Sequence, residues 1–254
     1  VLKLQLFILN SQFSFMLSYH TAIITGASRG LGRAIARSFV MRGLNVVMVA
    51  RSEPDLKAAV RELSEEFIGS HVGYYVADIR QPEDIKRLFH ATAEAFGWAD
   101  VLVNNAGVGT YKPLLDWTDE EIHDTLTVNL TSLIACCRAA LPEMIAHKHG
   151  YIINIASDLS RRYLPNMAPY VAAKFGALGF AGSLLREVKQ HGVKVTTVMP
   201  GIIDTNFNNS QEGSREETWA LRPEVLAERV VELLSLPKHV VVDELAIHPM
   251  QQDF

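Results

Sequence analysis

Short apolar runs rich in β-branched residues recur along the chain, from HTAIIT and NVVMV through VLVN, YIINIA and VTTVM to VVVDELAI, and amphipathic stretches separate them. Runs of four to eight such residues fit buried strands, and longer stretches with apolar positions three or four apart fit helices lying on a sheet. Strands are predicted near 20–25, 45–50, 72–77, 100–104, 150–156, 193–199 and 240–247. Helices are predicted near 30–42, 53–67, 82–96, 118–147, 168–190 and 223–235, each close enough to the preceding strand for a right-handed crossover. The expected fold is α/β: a doubly wound sheet of about seven mostly parallel strands with helices on both faces.

Two segments stand outside this alternation. Residues 1–15 (VLKLQLFILNSQFSF) precede Met16 and are expected to be a non-core extension, with Met16 the natural start and 16–254 one domain. Their apolar run, Leu4 to Leu9, is too short to span a bilayer, and with a single lysine before it, Asn10, Ser11 and Gln12 breaking it and no small-residue cleavage site, it makes a poor signal peptide. No membrane association is expected. The polar segment Thr205 to Leu221 (TNFNNSQEGSREETWAL) falls where a doubly wound sheet binds its ligands, beyond the carboxyl ends of the strands, and is expected to be a lid.

Charge removes one class of partner. A formal net charge of -4 over 254 residues offers no basic stripe for a nucleic acid. The two cysteines, Cys136 and Cys137, are adjacent, so neither a disulfide framework nor a cysteine metal site is expected. They fit small apolar fillers of a helix in a reducing, cytoplasmic compartment.

Directly after the first strand comes Thr25-Gly26-Ala27-Ser28-Arg29-Gly30-Leu31-Gly32, followed by a helical pattern. Strand, glycine turn and helix together make a dinucleotide site of Rossmann type, because glycines let backbone N–H groups and a helix N-terminus approach a pyrophosphate. The second strand ends in Ala50-Arg51 rather than in an acid that would hold a ribose 2′-hydroxyl. Arg51 with Arg29 could bracket a 2′-phosphate, which favours NADP(H) over NAD(H). Asp78, with Ile79 beside it, is placed to meet the adenine, although a helix cap would read the same way. Asn104-Asn105-Ala106-Gly107 offers a small-residue floor whose asparagines could bind backbone.

Tyr170 and Lys174 lie four apart on a predicted helix and so share a face. A phenol of ordinary pKa about 10 exchanges protons poorly at neutral pH, and a nearby ammonium is expected to lower it. Ser157, at the mouth of the fifth strand, could polarise the same carbonyl oxygen.

With these motifs the chain resembles the short-chain dehydrogenase/reductase family from about Tyr19 to Pro249. The likeness rests on TGASRGLG at 25–32, NNAG at 104–107, Ser157 with YVAAK at 170–174, and PGIIDT at 200–205, in that order. The resemblance implies an NADP(H)-dependent enzyme moving hydride between a nicotinamide and a small-molecule carbonyl or secondary alcohol, without a metal. It makes Tyr170 the general acid or base, Ser157 the group orienting the substrate oxygen, and Lys174 the ligand of the nicotinamide ribose. Asn129, in TVNL, would hold a water of a proton relay; a mid-helix kink is the alternative reading. Pro200 and Gly201 would turn the chain past the nicotinamide, with Ile203 and Thr205 holding its carboxamide. A homotetramer or homodimer is also implied, and the apolar face around Leu133, Ala140 and Leu141 suits either a two-fold interface or the chain's own core.

Substrate identity is left to the residues around this set: Val108, Tyr111, Asp158, Leu159, Arg162, Leu164, Phe207 and Trp219; Arg161 and Arg162 could meet an anionic or carrier-linked substrate, and exposed surface arginines are the alternative reading. The ending VVVDELAIHPMQQ is similar to that of 3-oxoacyl-carrier-protein and sepiapterin-type reductases of the family. Two rival readings are weaker. A non-catalytic NADP(H)-binding sensor would not need both Tyr170 and Lys174. A sugar-nucleotide epimerase of the extended branch would differ in glycine spacing and carry a further substrate domain.

Overall fold

In the computed structural model, residues 17–207, 212–216 and 218–252 are described. The expected extension 1–15 and Met16 lie outside them, as do 208–211 and 217 of the expected lid. Seven strands form one sheet: β1 (Thr21–Thr25), β2 (Asn45–Ala50), β3 (Val72–Val76), β4 (Val101–Asn104), β5 (Gly150–Ile155), β6 (Val193–Pro200) and β7 (Glu244–Ile247). All pairings are parallel and the spatial order is β3-β2-β1-β4-β5-β6-β7. The chain therefore runs outward from β1 in one direction, returns, and continues from β4 in the other. The carboxyl ends of β1 and β4, where the order reverses, open the crevice that such sheets offer to ligands.

The central strands are apolar throughout because both faces are covered, so no alternation survives in β1, β5 or β6, which are buried at every position. Helices α1 (Gly30–Met41), α2 (Glu53–Glu66) and α7 (Pro223–Leu234) cover one face, where Phe39, Leu56 and Val230 meet Ile24, Met48 and Ile153. Helices α3 (Pro82–Phe96), α5 (Ser132–Ala146) and α6 (Ala168–Val188) cover the other, where Leu88, Cys137 and Ala177 meet Ile23, Val49 and Ile152. Leu133 and Ala140 are buried in this second core, and Leu141, half-buried, packs against it. Cys136 and Cys137 are buried free thiols, and burial pushes both thiols well up from their ordinary value.

The stretch expected as one helix over 118–147 is three pieces: α4 (Asp119–Leu126), a π-helical turn at Thr127–Thr131, and α5. Thr118 and Glu121 close the front of α4 with a reciprocal capping box. The widening has a local cause: the Asn129 side-chain amide donates to Thr125 O at 2.9 Å, taking the carbonyl that the residue's own N–H would use in an α-helix. By length and composition Asp119–Ala146 could cross a membrane, yet Leu133, Cys137 and Met144 lie inside the core. The last strand is shorter than expected, because Val240 N closes a turn on Pro237 O before β7 begins.

Gly192 shows how tightly the strands are fed. It lies at φ +73, and a Cβ there would stand 2.4 Å from Lys148 O, in the turn that starts β5. Gly192→Ala is expected to destabilise the protein by about 2 kcal/mol or more, since left-handed strain and a backbone clash combine. A denaturant midpoint unchanged from wild type would show that the turn relaxes freely.

Candidate active site

The loops that follow the carboxyl ends of the strands enclose a cleft of about 760 Å³, within the range of small-molecule sites. Gly26, Ser28, Arg29, Gly30, Leu31, Gly32, Arg51, Asp78, Ile79, Asn105, Ala106 and Gly107 line one half of it. Ser157, Tyr170, Lys174, Pro200, Gly201, Ile203 and Thr205 line the other. Sequence reasoning thus placed these residues in one cavity, although they come from six strand ends and a helix.

The first half is a backbone cradle. No side chain caps the N-terminus of α1 and its first turn holds no acid, so the positive end of the helix faces the cleft. A Cβ at Gly32 would stand 2.4 Å from Gly26 O, and one at Gly26 would stand 2.8 Å from Ala106 Cα. Only glycine lets the turn close this far onto the floor behind it. Thr25 joins the two: its hydroxyl accepts Asn105 N at 3.0 Å and Ala106 N at 3.1 Å, while the Asn105 side chain donates to Thr25 O at 2.9 Å. Asn105 therefore binds backbone as expected. Asn104 instead donates to Asn154 Oδ1, its cross-strand neighbour, at 2.9 Å.

Arg29 and Arg51 are exposed at the rim of this half. Asp78 is not a helix cap; Gln81 holds the cap position of α3. The Asp78 carboxylate accepts Arg80 Nη2 at 2.6 Å, and this guanidinium holds its pKa below the ordinary value. Arg80 reaches on to Asp124 at 3.0 Å.

In the second half, Tyr170 and Lys174 project from the same face of α6, and the ammonium lies 5.4 Å from the centre of the phenol ring. Both are buried. Lys174 Nζ donates to Ile155 O at 3.2 Å. Burial strips water from both groups and disfavours their charged forms: the Tyr170 pKa is pushed up to about 12, the Ser157 hydroxyl lowering it and Asp158 adding to the rise, and that of Lys174 is brought down to about 8. The expectation of a lowered phenol pKa is thus reversed: burial raises it. Ser157 lies at the end of β5 and donates its proton to Asp158 Oδ1 at 2.9 Å.

Asn129 stands behind this group, its amide held by Val108 O at 2.8 Å and by Thr125 O. A Cβ at Gly107 would lie 3.0 Å from Asn129 Oδ1 and 3.8 Å from Lys174 Nζ, so the absent side chain is what lets the two polar groups flank one point. The helix distortion expected as the alternative reading of Asn129 is present, and the same side chain stands beside Gly107.

Of the residues expected to face a substrate, Val108, Asp158, Leu159, Arg162, Leu164, Phe207 and Trp219 line the cleft. Tyr111 does not, and Arg161 is held in an ion pair with Glu244. The Phe207 ring lies 6.1 Å from that of Tyr170. Tyr163, Met167, Arg215 and Gln252 also line the cleft and were not foreseen. The expected lid is pinned at its base: Leu221 N donates to Ile202 O at 2.9 Å, and buried Asp204 accepts Arg222 at 2.6 Å.

Known proteins share this sequence pattern and this fold. The family model for short chain dehydrogenase matches residues 20–216. The chain is 36% identical over 203 residues to the 3-oxoacyl-acyl-carrier-protein reductase FabG of Vibrio cholerae, covering 80% of this chain and 81% of that protein. An alcohol dehydrogenase from the archaeon Thermococcus sibiricus, solved with 5-hydroxy-NADP, superposes with a TM-score of 0.87 at 35% identity, over 92% of this chain and 98% of that one. A metagenomic short-chain oxidoreductase solved with NADP superposes with a TM-score of 0.81 at 34% identity, over 92% and 99%. Fold, motifs and relatives agree, and the chain is an oxidoreductase belonging to the short-chain dehydrogenase family.

Proposed function

We propose that the protein is an NADP(H)-dependent oxidoreductase of carbonyls and secondary alcohols, in which Tyr170 is the general acid of reduction and the general base of oxidation. The observation that supports this best is the juxtaposition of Ser157, Tyr170 and Lys174 in the cleft that the glycine turn opens into. The cradle fits a dinucleotide, with an uncapped helix end, two glycines at close backbone approach and two arginines at the rim. Gly26, Ser28, Gly30, Leu31 and Gly32 would hold the pyrophosphate; Asp78 and Ile79 would border the adenine, beside the Asn105-Ala106-Gly107 floor. Pro200, Gly201, Ile203 and Thr205 would border the nicotinamide. When bound, the cofactor supplies or accepts the hydride.

The chain's own residues handle the proton. With its pKa near 12, Tyr170 is a phenol at neutral pH and holds a proton ready for the oxygen of a reduced carbonyl. Ser157 orients that oxygen, and Lys174 supplies the positive charge that a phenolate would need. Asn129 orders the relay behind Lys174. Arg29 and Arg51 select a 2′-phosphate, and Thr205 to Leu221 acts as the lid. The two similar proteins solved with NADP-type ligands support the cofactor. The buried thiols Cys136 and Cys137 fit a cytoplasmic setting, and the family likeness suits a homodimer or homotetramer.

The defining assay is NADPH consumption by the purified protein with β-ketoacyl thioesters, diketones, aromatic aldehydes and pterin ketones, with NADH in parallel. Faster turnover with NADPH is expected. Tyr170→Phe should bind NADPH as wild type does while turnover falls ~10²- to 10⁴-fold; near-wild-type turnover would remove Tyr170 from its role. Arg51→Asp should move the cofactor preference toward NADH, since an acid repels a 2′-phosphate and accepts a 2′-hydroxyl. An unchanged NADPH to NADH ratio would leave Arg51 without a part in selection.

Burial of Lys174 also makes a pH prediction. Its folded pKa, about 8, lies below the ordinary 10.5, so the folded state disfavours the ammonium. That destabilisation is fully present below about pH 8 and vanishes as pH rises to 10.5, where the unfolded chain also loses the proton. Lys174→Met, of similar length and without charge, should therefore raise Tm at about pH 7 and lose that gain near pH 10. A gain independent of pH would mean that Lys174 is not the group titrating.

A further inference from the structure

The side chain of Gln252 occupies a position that the proton chemistry above does not use. It comes from the tail beyond β7 and reaches across the mouth of the cleft. Its Nε2 donates to Asp158 Oδ2 at 2.8 Å, and its Oε1 accepts Ile202 N at 2.8 Å. A Cβ at Gly201 would stand 2.1 Å from that Oε1, so the glycine of the β6 turn is what leaves room for the amide. On the other side of Asp158, Oδ1 accepts the Ser157 hydroxyl at 2.9 Å and Leu159 N at 2.8 Å. Both carboxylate oxygens are engaged, and the one proton of Ser157 is committed to the first of them. Gln251 N meanwhile donates to Thr218 O, next to Trp219 of the lid.

We propose that Gln252 is a positioning residue for the reaction: through Asp158 it sets the orientation of the Ser157 hydroxyl, and so ties the C-terminal tail to the active site. The inference rests on the oxidoreductase reading above. A serine hydroxyl on a strand end rotates freely unless a fixed acceptor holds it. Asp158 is such an acceptor only while its carboxylate plane is fixed, and Gln252 is the group that fixes the second oxygen. The polarity of the chain is also set. Ile202 N can only donate, so Gln252 must turn its oxygen there and its amide nitrogen toward Asp158, which in turn must be an acceptor on that side. The negative charge of Asp158 beside Tyr170 helps to keep the phenol protonated.

This polarity supplies the test. Gln252→Glu keeps the acceptor for Ile202 N and sets a carboxylate against Asp158. Asp158→Asn in the same chain restores a donor-to-acceptor pair with the direction reversed. The full chain should be assayed as wild type, Q252E and D158N/Q252E with NADPH and the best carbonyl of the panel, with Tm recorded for each. For Q252E, kcat is expected to fall about 10- to 100-fold, the scale of a misplaced catalytic group, while KM for NADPH stays within about twofold. The double variant should regain at least about tenfold of a hundredfold loss, and proportionately less of a smaller one. Wild-type kcat in Q252E, or a double variant no better than Q252E at equal Tm, would overturn the positioning role and leave the oxidoreductase reading standing. A folded wild type that binds NADPH and reduces none of the carbonyls would overturn both.

Discussion

The structure depends on how polar backbone is satisfied where the sheet changes direction. Beyond β1 and β4 the chain must leave a buried sheet and turn, exposing N–H and C=O groups that have no strand to pair with. Thr25, the last residue of β1, and Asn105, just past β4, supply the missing partners. The glycine turn and the small-residue floor are thereby one rigid piece, and Gly26 and Gly32 have no room for a Cβ because that piece is closed so tightly. The uncapped end of α1 is a consequence. Its N–H groups are presented to the cleft because the loop before it is held by Thr25 and Asn105, with no side chain folding back to cap the helix.

Much of this was legible in the chain. Buried parallel strands leave continuous apolar runs, and strand ends carry the motifs, so residues as far apart as Gly26 and Thr205 could be placed in one site before any coordinates. What was not legible shares a physical cause: a partner distant in sequence and without periodic pattern. Arg161 reads as a surface cation until Glu244 is seen to hold it. Asp78 reads equally as a cap or a ligand, and its engagement by Arg80 is a matter of rotamers. Gln252 lies 94 residues from Asp158, in a tail whose composition announces nothing. Thr25 was visible only as the residue before the glycines, since a hydroxyl that serves two amides has no signature beyond its place.

The long helix shows a subtler limit. Asn129 could be read as a kink or as a functional polar group, and these were treated as alternatives. The structure joins them, because the same side-chain amide that opens the helical turn at Thr125 also reaches Val108 O and stands beside Gly107. A polar group can be set inside a helical core only by satisfying its hydrogen bonds locally, and doing so disturbs the helix that carries it. The distortion of the helix and the polar environment beside Gly107 are two descriptions of one arrangement.

The same logic governs the proton donor. Tyr170 and Lys174 are buried together, and burial disfavours the phenolate and the ammonium alike. Each charged form thus gains most from the other, since attraction between opposite charges grows as water is excluded. In the resting protein the phenol keeps its proton, while Lys174, with a pKa near 8, is still charged at neutral pH and costs the fold stability to remain so. That cost is tolerable because it is confined to one group on a well-packed helix, where Ala177, Ala181 and Leu184 lock α6 into the core against the sheet. The helix is held by its apolar face and can therefore carry two buried ionisable groups, Tyr170 and Lys174, on the face that meets the cleft.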